Sequence, residues 1–161
     1  MSDFWKASTD IHKQMLALIG KNHPDLALVS DEIVIVFKEK ASKSGGRPVM
    51  GTASRVSARM NALGNTDYKF ILELAADVWE HELTSRQREA LLDHLLCFCT
   101  SELDEKTGEP KCAIRRPDIL AFTDNLGRYG NWFPKFEEEG EEGDGNKAAS
   151  TQVDVTEILN S

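Results

Sequence analysis

His94 and Cys97 lie three residues apart in the stretch LLDHLLCFC, and on a helix that spacing sets an imidazole and a thiol on one face. Such a pair can hold zinc, with Cys112 or Asp118 from the following segment completing the ligands. Cys99 points away from the pair, and no CxxC is present. Read without a metal, the cysteines are small buried hydrophobes and His94 is a hydrogen-bonded core residue. His81-Glu82 starts like HExxH, but the position four after His81 is Ser85 and a helix start falls between, so the match is accidental. The run SKSGGR at residues 42–47 lacks the GxxxxGK[ST] order of a phosphate loop and reads as a hairpin tip.

These groups need a scaffold. Thr84 with Gln87 has the pattern of a capping box and predicts a long helix to about Thr100. Its first half is charged (Arg86, Arg88, Glu89, Asp93), whereas Leu91, Leu92, Leu95, Leu96, Cys97, Phe98 and Cys99 are apolar nearly all round and predict burial. Pro117 suits the first turn of a closing helix over 118–128, with Ile119, Leu120, Phe122 and Leu126 inside and Gly130 as its end. Upstream, Phe4, Ala7, Ile11, Met15, Leu16, Leu18 and Ile19 recur at helical spacing, which predicts a helix over 4–19 stopped at Gly20. EIVIVF at 32–37, residues 49–56 and YKFILEL at 68–74 read as strands, the last with Phe70, Leu72 and Leu74 on one face. A short helical piece with Val78 and Trp79 follows, residues 61–67 read as a turn, and DEKTGEPK at 104–111 reads as a polar loop or hairpin tip. Trp5, Trp79 and Trp132 are expected core anchors, with Trp132-Phe133 as an alternative exposed pair.

The chain has 161 residues, 19 basic against 27 acidic, for a net charge of −8. With 40% hydrophobic and 29% charged residues it is expected to fold as one domain over 1–136. After Phe136 the composition changes to EEEGEEGDGNKAAS, which cannot build a core and predicts a disordered acidic tail over 137–161. The acidic balance argues against direct nucleic-acid or anionic-membrane binding and suits a protein partner. No apolar run approaches the roughly 20 residues needed to span a bilayer, so a cytoplasmic location with reduced thiols is expected. Arg115 and Arg116 are expected to pair with Asp118 or with tail carboxylates.

The run YKFILELAADVWEHELTSRQREALLDHLLCFC, followed by DEKTGEPKCAIRRPDILAF and GRYGNW, resembles the metallopeptidase family encoded by bacteriophages and prophages. The resemblance covers roughly residues 33–132, including Gly51 after the first hairpin. In that family a strand precedes a helix bearing HExxH in a context such as ALxDHELCH, and a later His-Asp pair opens a helix ending near Gly-x-Trp. The resemblance implies an α+β fold on a minimal zincin scaffold: N-terminal helix, small antiparallel or mixed sheet, motif helix and closing helix. HExxH works because two imidazoles four apart reach one zinc while the glutamate polarises its water. Here His94 is retained, Leu95 replaces the glutamate, Phe98 replaces the second histidine, and Pro117-Asp118 replaces the His-Asp pair. Loss of a general base alone costs ~10²–10⁴-fold in rate. A buried leucine or phenylalanine instead stabilises by roughly 1.5–3 kcal/mol. The expectation is a metal-free, catalytically inactive zincin relative that acts by binding a protein, with a host nuclease, defence component or transcription factor as the partner the phage resemblance implies. Trp132, Phe133 and the tail carboxylates Glu137, Glu138, Glu139, Glu141, Glu142 and Asp144 are its candidate contacts. The alternatives are a divergent zinc hydrolase using His94 with Cys97, Cys112 or Asp118, and an acidic DNA mimic.

Overall fold

The computed structural model describes residues 3–116 and 122–134, so Pro117, Asp118, Ile119, Leu120 and the whole acidic tail lie outside the described residues. The chain opens with strand β1 (Phe4–Lys6) and helix α1 (Thr9–Asn22), turns through a 3-10 helix at Pro24–Glu32 and enters β2 (Ile33–Lys38). A small hairpin, β3 (Lys43–Ser44) and β4 (Arg47–Pro48), leads to β5 (Gly51–Arg55), helix α2 (Ala58–Gly64), strand β6 (Phe70–Ala75) and helix α3 (Ala76–His81). The long helix α4 (Ser85–Phe98) follows, then the hairpin β7 (Cys99–Leu103) and β8 (Pro110–Ile114), and helix α5 (Thr123–Tyr129).

Four strands form a mixed sheet in the order β1-β2-β6-β5. The central pair is parallel, with Ile33 opposite Phe70, and both outer strands run antiparallel to their neighbours. A central strand covered on both faces reads as a continuous apolar run, which explains EIVIVF: Ile33, Val34, Ile35 and Phe37 are all buried. On β6 the alternation is clean, with Phe70, Leu72 and Leu74 fully inside. The core joins these residues to Met15, Leu18 and Ile19 of α1 and to Leu91, Leu92, Leu95 and Leu96 of α4. Helix α4 is central, touching α1, β5, β7 and α5. The α+β class is therefore the one the sequence predicts, and among the described residues no helix is long and apolar enough to cross a membrane.

Several local expectations are corrected. Residues 4–6 form an edge strand, not the start of a helix, because Trp5 pairs across from Phe37 and its ring stacks on Phe37 at 5.9 Å. Trp5 stays 45% exposed there, so it is not a core anchor as Trp79 and Trp132 are. Helix α1 starts at Thr9 and runs through Gly20 to Asn22. Its stop is Pro24, which opens the 3-10 helix and whose ring restricts the residue before it. Helix α2 occupies most of the expected turn: Ser57 caps it by accepting from the Met60 amide, and Asn65 closes it at φ 53°. None of its residues is buried, so it leaves no apolar period to read. Helix α4 ends at Phe98, two residues short of expectation, because Cys99 turns extended and pairs with Ile114.

Gly51 lets β5 close onto α4. A Cβ there would stand 2.9 Å from the Glu73 carbonyl oxygen and 3.0 Å from Leu95 Cδ1, and the backbone contact cannot yield cheaply. Gly51→Ala is expected to destabilise the fold by about 1–3 kcal/mol in urea denaturation. Ser54→Ala, on the exposed side of the same strand, should stay within ~0.5 kcal/mol; equal effects would refute the close-approach argument.

Candidate functional site on helix α4

Helix α4 is fixed at its start by the predicted capping box. Thr84 Oγ1 accepts from the Gln87 amide at 3.2 Å and Gln87 Oε1 accepts from the Thr84 amide at 2.9 Å. Gln87 Nε2 also donates to the Trp132 carbonyl at 3.0 Å, and Arg86 donates to the Tyr129 carbonyl at 3.3 Å, which docks the end of α5 and the residues just after it on the helix. Beyond this anchor, α4 carries two different clusters on adjacent faces. One is polar, built on Asp93 and Cys97, and the other is aromatic, built on His94 and Phe98.

Asp93 is expected from sequence to belong to the charged half of α4, yet its exposure is 0%. Every acceptor site of its carboxylate is used. Oδ1 accepts from Asn22 Nδ2 at 3.0 Å and His23 Nε2 at 2.7 Å, and Oδ2 accepts from Asn125 Nδ2 at 2.9 Å and Arg128 Nε at 3.1 Å. Because the carboxylate has no proton to give, Nε2 is the protonated nitrogen of His23. The donors arrive through local structure: α1 stops before Pro24 and delivers Asn22 and His23, while Asn125 and Arg128 share one face of α5 at i, i+3. Asn125 is fully buried and saturated, since Nδ2 also donates to the Ala90 carbonyl and Oδ1 accepts from Trp132 Nε1. Burial by itself would raise the Asp93 carboxyl, but the hydrogen bonds from His23, Asn125 and Arg128 and the His23 charge outweigh it and hold it at about 2. Cys97 Sγ lies 3.8 Å from the Arg128 guanidinium, and its thiol is pushed up to about 12 by burial and by the Asp93 charge, against the pull of Arg128 and Arg115.

One residue further round, the His94 ring meets Phe98 at 5.3 Å, Phe122 at 5.6 Å and Trp132 at 6.0 Å. Phe98 and Phe122 meet edge to face at 4.7 Å, Arg115 lies over Phe122 at 4.5 Å, and Phe133 stacks on Trp132. His94 Nδ1 is buried with no hydrogen-bond partner, so the expected hydrogen-bonded core histidine is replaced by one packed among rings. Burial lowers its pKa to about 4, only partly offset by the Asp93 charge.

Among the described residues, the group of His, Cys, Asp and Glu side chains close enough to share a metal ion is His23, Asp93 and Cys97, whose donor atoms lie within 4.8 Å of one another. Of the candidates His94, Cys97, Cys112 and Asp118, this group contains Cys97. His94 is turned into the aromatic cluster, and Asp118 lies outside the described residues. Cys112 is buried on β8 in the same core cluster as Cys99, and all three cysteines are free. Trp132 is buried at 4% and Phe133 is half-buried, so the pair forms a wall of the aromatic cluster. Arg115 donates to the Cys97 carbonyl at 2.6 Å and pairs with Asp124 at 3.8 Å. His81 and Glu82 end α3, separated from α4 by the Thr84 cap, as expected of an accidental match. The sequence pattern does not single out His23 and Asp93 as site residues. The available signal was a carboxylate inside an apolar helix, four residues before a cysteine.

A family model described as "Putative phage metallopeptidase" matches residues 3–142, and the chain belongs to that family. No curated protein and no solved structure matches it. The family's description implies a metal, and the motif face does not fit one. Leu95, which the resemblance sets against the family's glutamate, is 1% exposed and packs toward Gly51. Phe98, which the resemblance sets against the family's second histidine, presents a ring edge to His94. Neither has a donor atom, and the buried nitrogen of His94 faces no ligand partner.

The two depressed pKa values set the acid response. For each group the folded chain binds a proton less readily than the unfolded one, so stability is complete above the unfolded pKa and falls as pH drops toward the folded value. His94 acts between 6.5 and about 4, and Asp93 between 3.8 and about 2. Urea titrations are expected to show stability declining in both windows. His94→Leu should flatten the upper window while keeping the protein folded at pH 7, because it removes a buried unsatisfied nitrogen. An unchanged slope in that variant would contradict the assignment.

Proposed function

We propose that this chain is a binding member of its family, one that does not hydrolyse peptides with a metal at the family motif. The observation carrying this reading is the packing of positions 94–98. Leu95 is closed against β5, and Phe98 with Phe122 and Trp132 surrounds His94. Metal hydrolysis needs an open coordination position, a water to activate and a base to take its proton. Leu95 and Phe98 supply neither a ligand nor a base. The phage setting of the family suggests a host protein as partner, such as a nuclease, a defence component or a transcription factor. The net charge of −8 suits a basic partner surface.

One observation favours a second reading, a hydrolase with rearranged ligands: His23, Asp93 and Cys97 do converge. Against it, each carboxylate oxygen of Asp93 already accepts two donors. The test is peptide hydrolysis by the full chain, after chelation and after zinc addition, alongside the effect of expression on the host. The expected result is no zinc-dependent cleavage and a host effect that survives His94→Ala. Zinc-dependent cleavage abolished by His94→Ala would overturn the proposal, and zinc-dependent cleavage that survives His94→Ala but is lost in Cys97→Ser would overturn it in favour of the second reading.

A further inference from the structure

Asp93 and Cys97 stand at i and i+4 on α4, the spacing that lets two ligands on one helix face reach one ion, and they do so one residue before the His94–Phe98 pair. His23 enters from the end of α1 as a third donor, and all three residues are buried. Tetrahedral zinc holds its ligand atoms roughly 3–4 Å apart, so donors within 4.8 Å need only a small adjustment, the His23 Nε2 and Asp93 Oδ1 atoms now 2.7 Å apart moving apart and the wider pairs closing in. What occupies the cationic role is Arg128. Its Nε is 3.1 Å from Asp93 Oδ2 and its terminal nitrogen 3.8 Å from Cys97 Sγ, the two anionic or potentially anionic atoms of the triad.

We infer that His23, Asp93 and Cys97 form a latent site for a thiophilic divalent cation such as Zn²⁺ or Co²⁺, and that the Arg128 guanidinium holds it closed by serving as its built-in cation. A divalent ion and a guanidinium within about 4 Å repel strongly in a partly desolvated place. Arg128 therefore has to leave before an ion can enter. Its side chain is 26% exposed, so a path to solvent exists. Binding would release the Cys97 thiol proton to solvent, shift the His23 ring proton from Nε2 to Nδ1 with loss of its hydrogen bond to Asp93 Oδ1, and leave a thiolate on the metal. Three protein ligands would leave the fourth position to water. The site is separate from the motif face, and it would be opened by changing α5, not by restoring HExxH.

The test uses the full chain, stripped with chelator and titrated with Co²⁺, following the thiolate-to-cobalt absorption in the near ultraviolet. Arg128→Ala and Arg128→Gln are expected to take up one cobalt and to bind it roughly a hundredfold or more tightly than the wild type. Cys97→Ser in the Arg128→Ala background should abolish the absorption. Wild-type affinity equal to that of the variants would overturn the gating by Arg128. No uptake by folded variants, or absorption that survives Cys97→Ser, would overturn the site itself. Should both variants be unfolded when stripped, thermal melting with Zn²⁺ decides: recovery of a cooperative transition supports the site, and its absence overturns it.

Discussion

Asp93 places a carboxylate where water does not reach it, and the rest of the molecule is arranged to tolerate that charge. Four donors from two separate segments converge on it: Asn22 and His23 at the end of α1, and Asn125 and Arg128 on α5. A buried charge left with a missing partner typically costs about 3–5 kcal/mol. The end of α1, the middle of α4 and the whole of α5 are thus held to one geometry. The network also reaches the aromatic side, because Asn125 accepts from Trp132 while donating to Asp93.

This constraint fixes α4 from its polar side, independently of the residues on its His94 face. The helix is positioned by its cap, by Gly51 beneath Leu95 and by the Asp93 network. On its other side Phe98, Phe122 and Trp132 pack around the His94 ring, and Leu95 packs toward Gly51. His94 remains among them as a neutral ring whose buried nitrogen has no partner. A charged imidazole would be poorly solvated there, so the same packing that stabilises the cluster at neutral pH weakens it in acid.

Much of this could be read from the residues because the signals are local. The capping box needs only Thr84 and Gln87, the β6 alternation needs only YKFILEL, and the apolar second half of α4 declares its burial. What escaped was set by distant partners. β1 is three residues long and pairs across more than thirty positions with β2, while Phe4 also fits the helical period of the segment that follows. Asp93 reads as a solvated charge because none of its four partners lies near it in sequence. His23 reads as a turn residue because Pro24 follows it, and the same turn aims it at Asp93. The expected hydrogen bond of His94 failed for a related reason, since its ring-bearing neighbours Phe122 and Trp132 arrive from the far end of the chain.

The central claim, which is the reading proposed above, is that the His94 face of α4 is closed by packing and that its stability owes nothing to a metal. The most direct measurement is zinc content by elemental analysis of the purified, untagged full chain before and after dialysis against chelator, paired with its thermal transition. The account predicts zinc far below stoichiometric and a transition unmoved by the chelator. Near-stoichiometric zinc, lost together with the fold and lost again in His94→Ala, would contradict it.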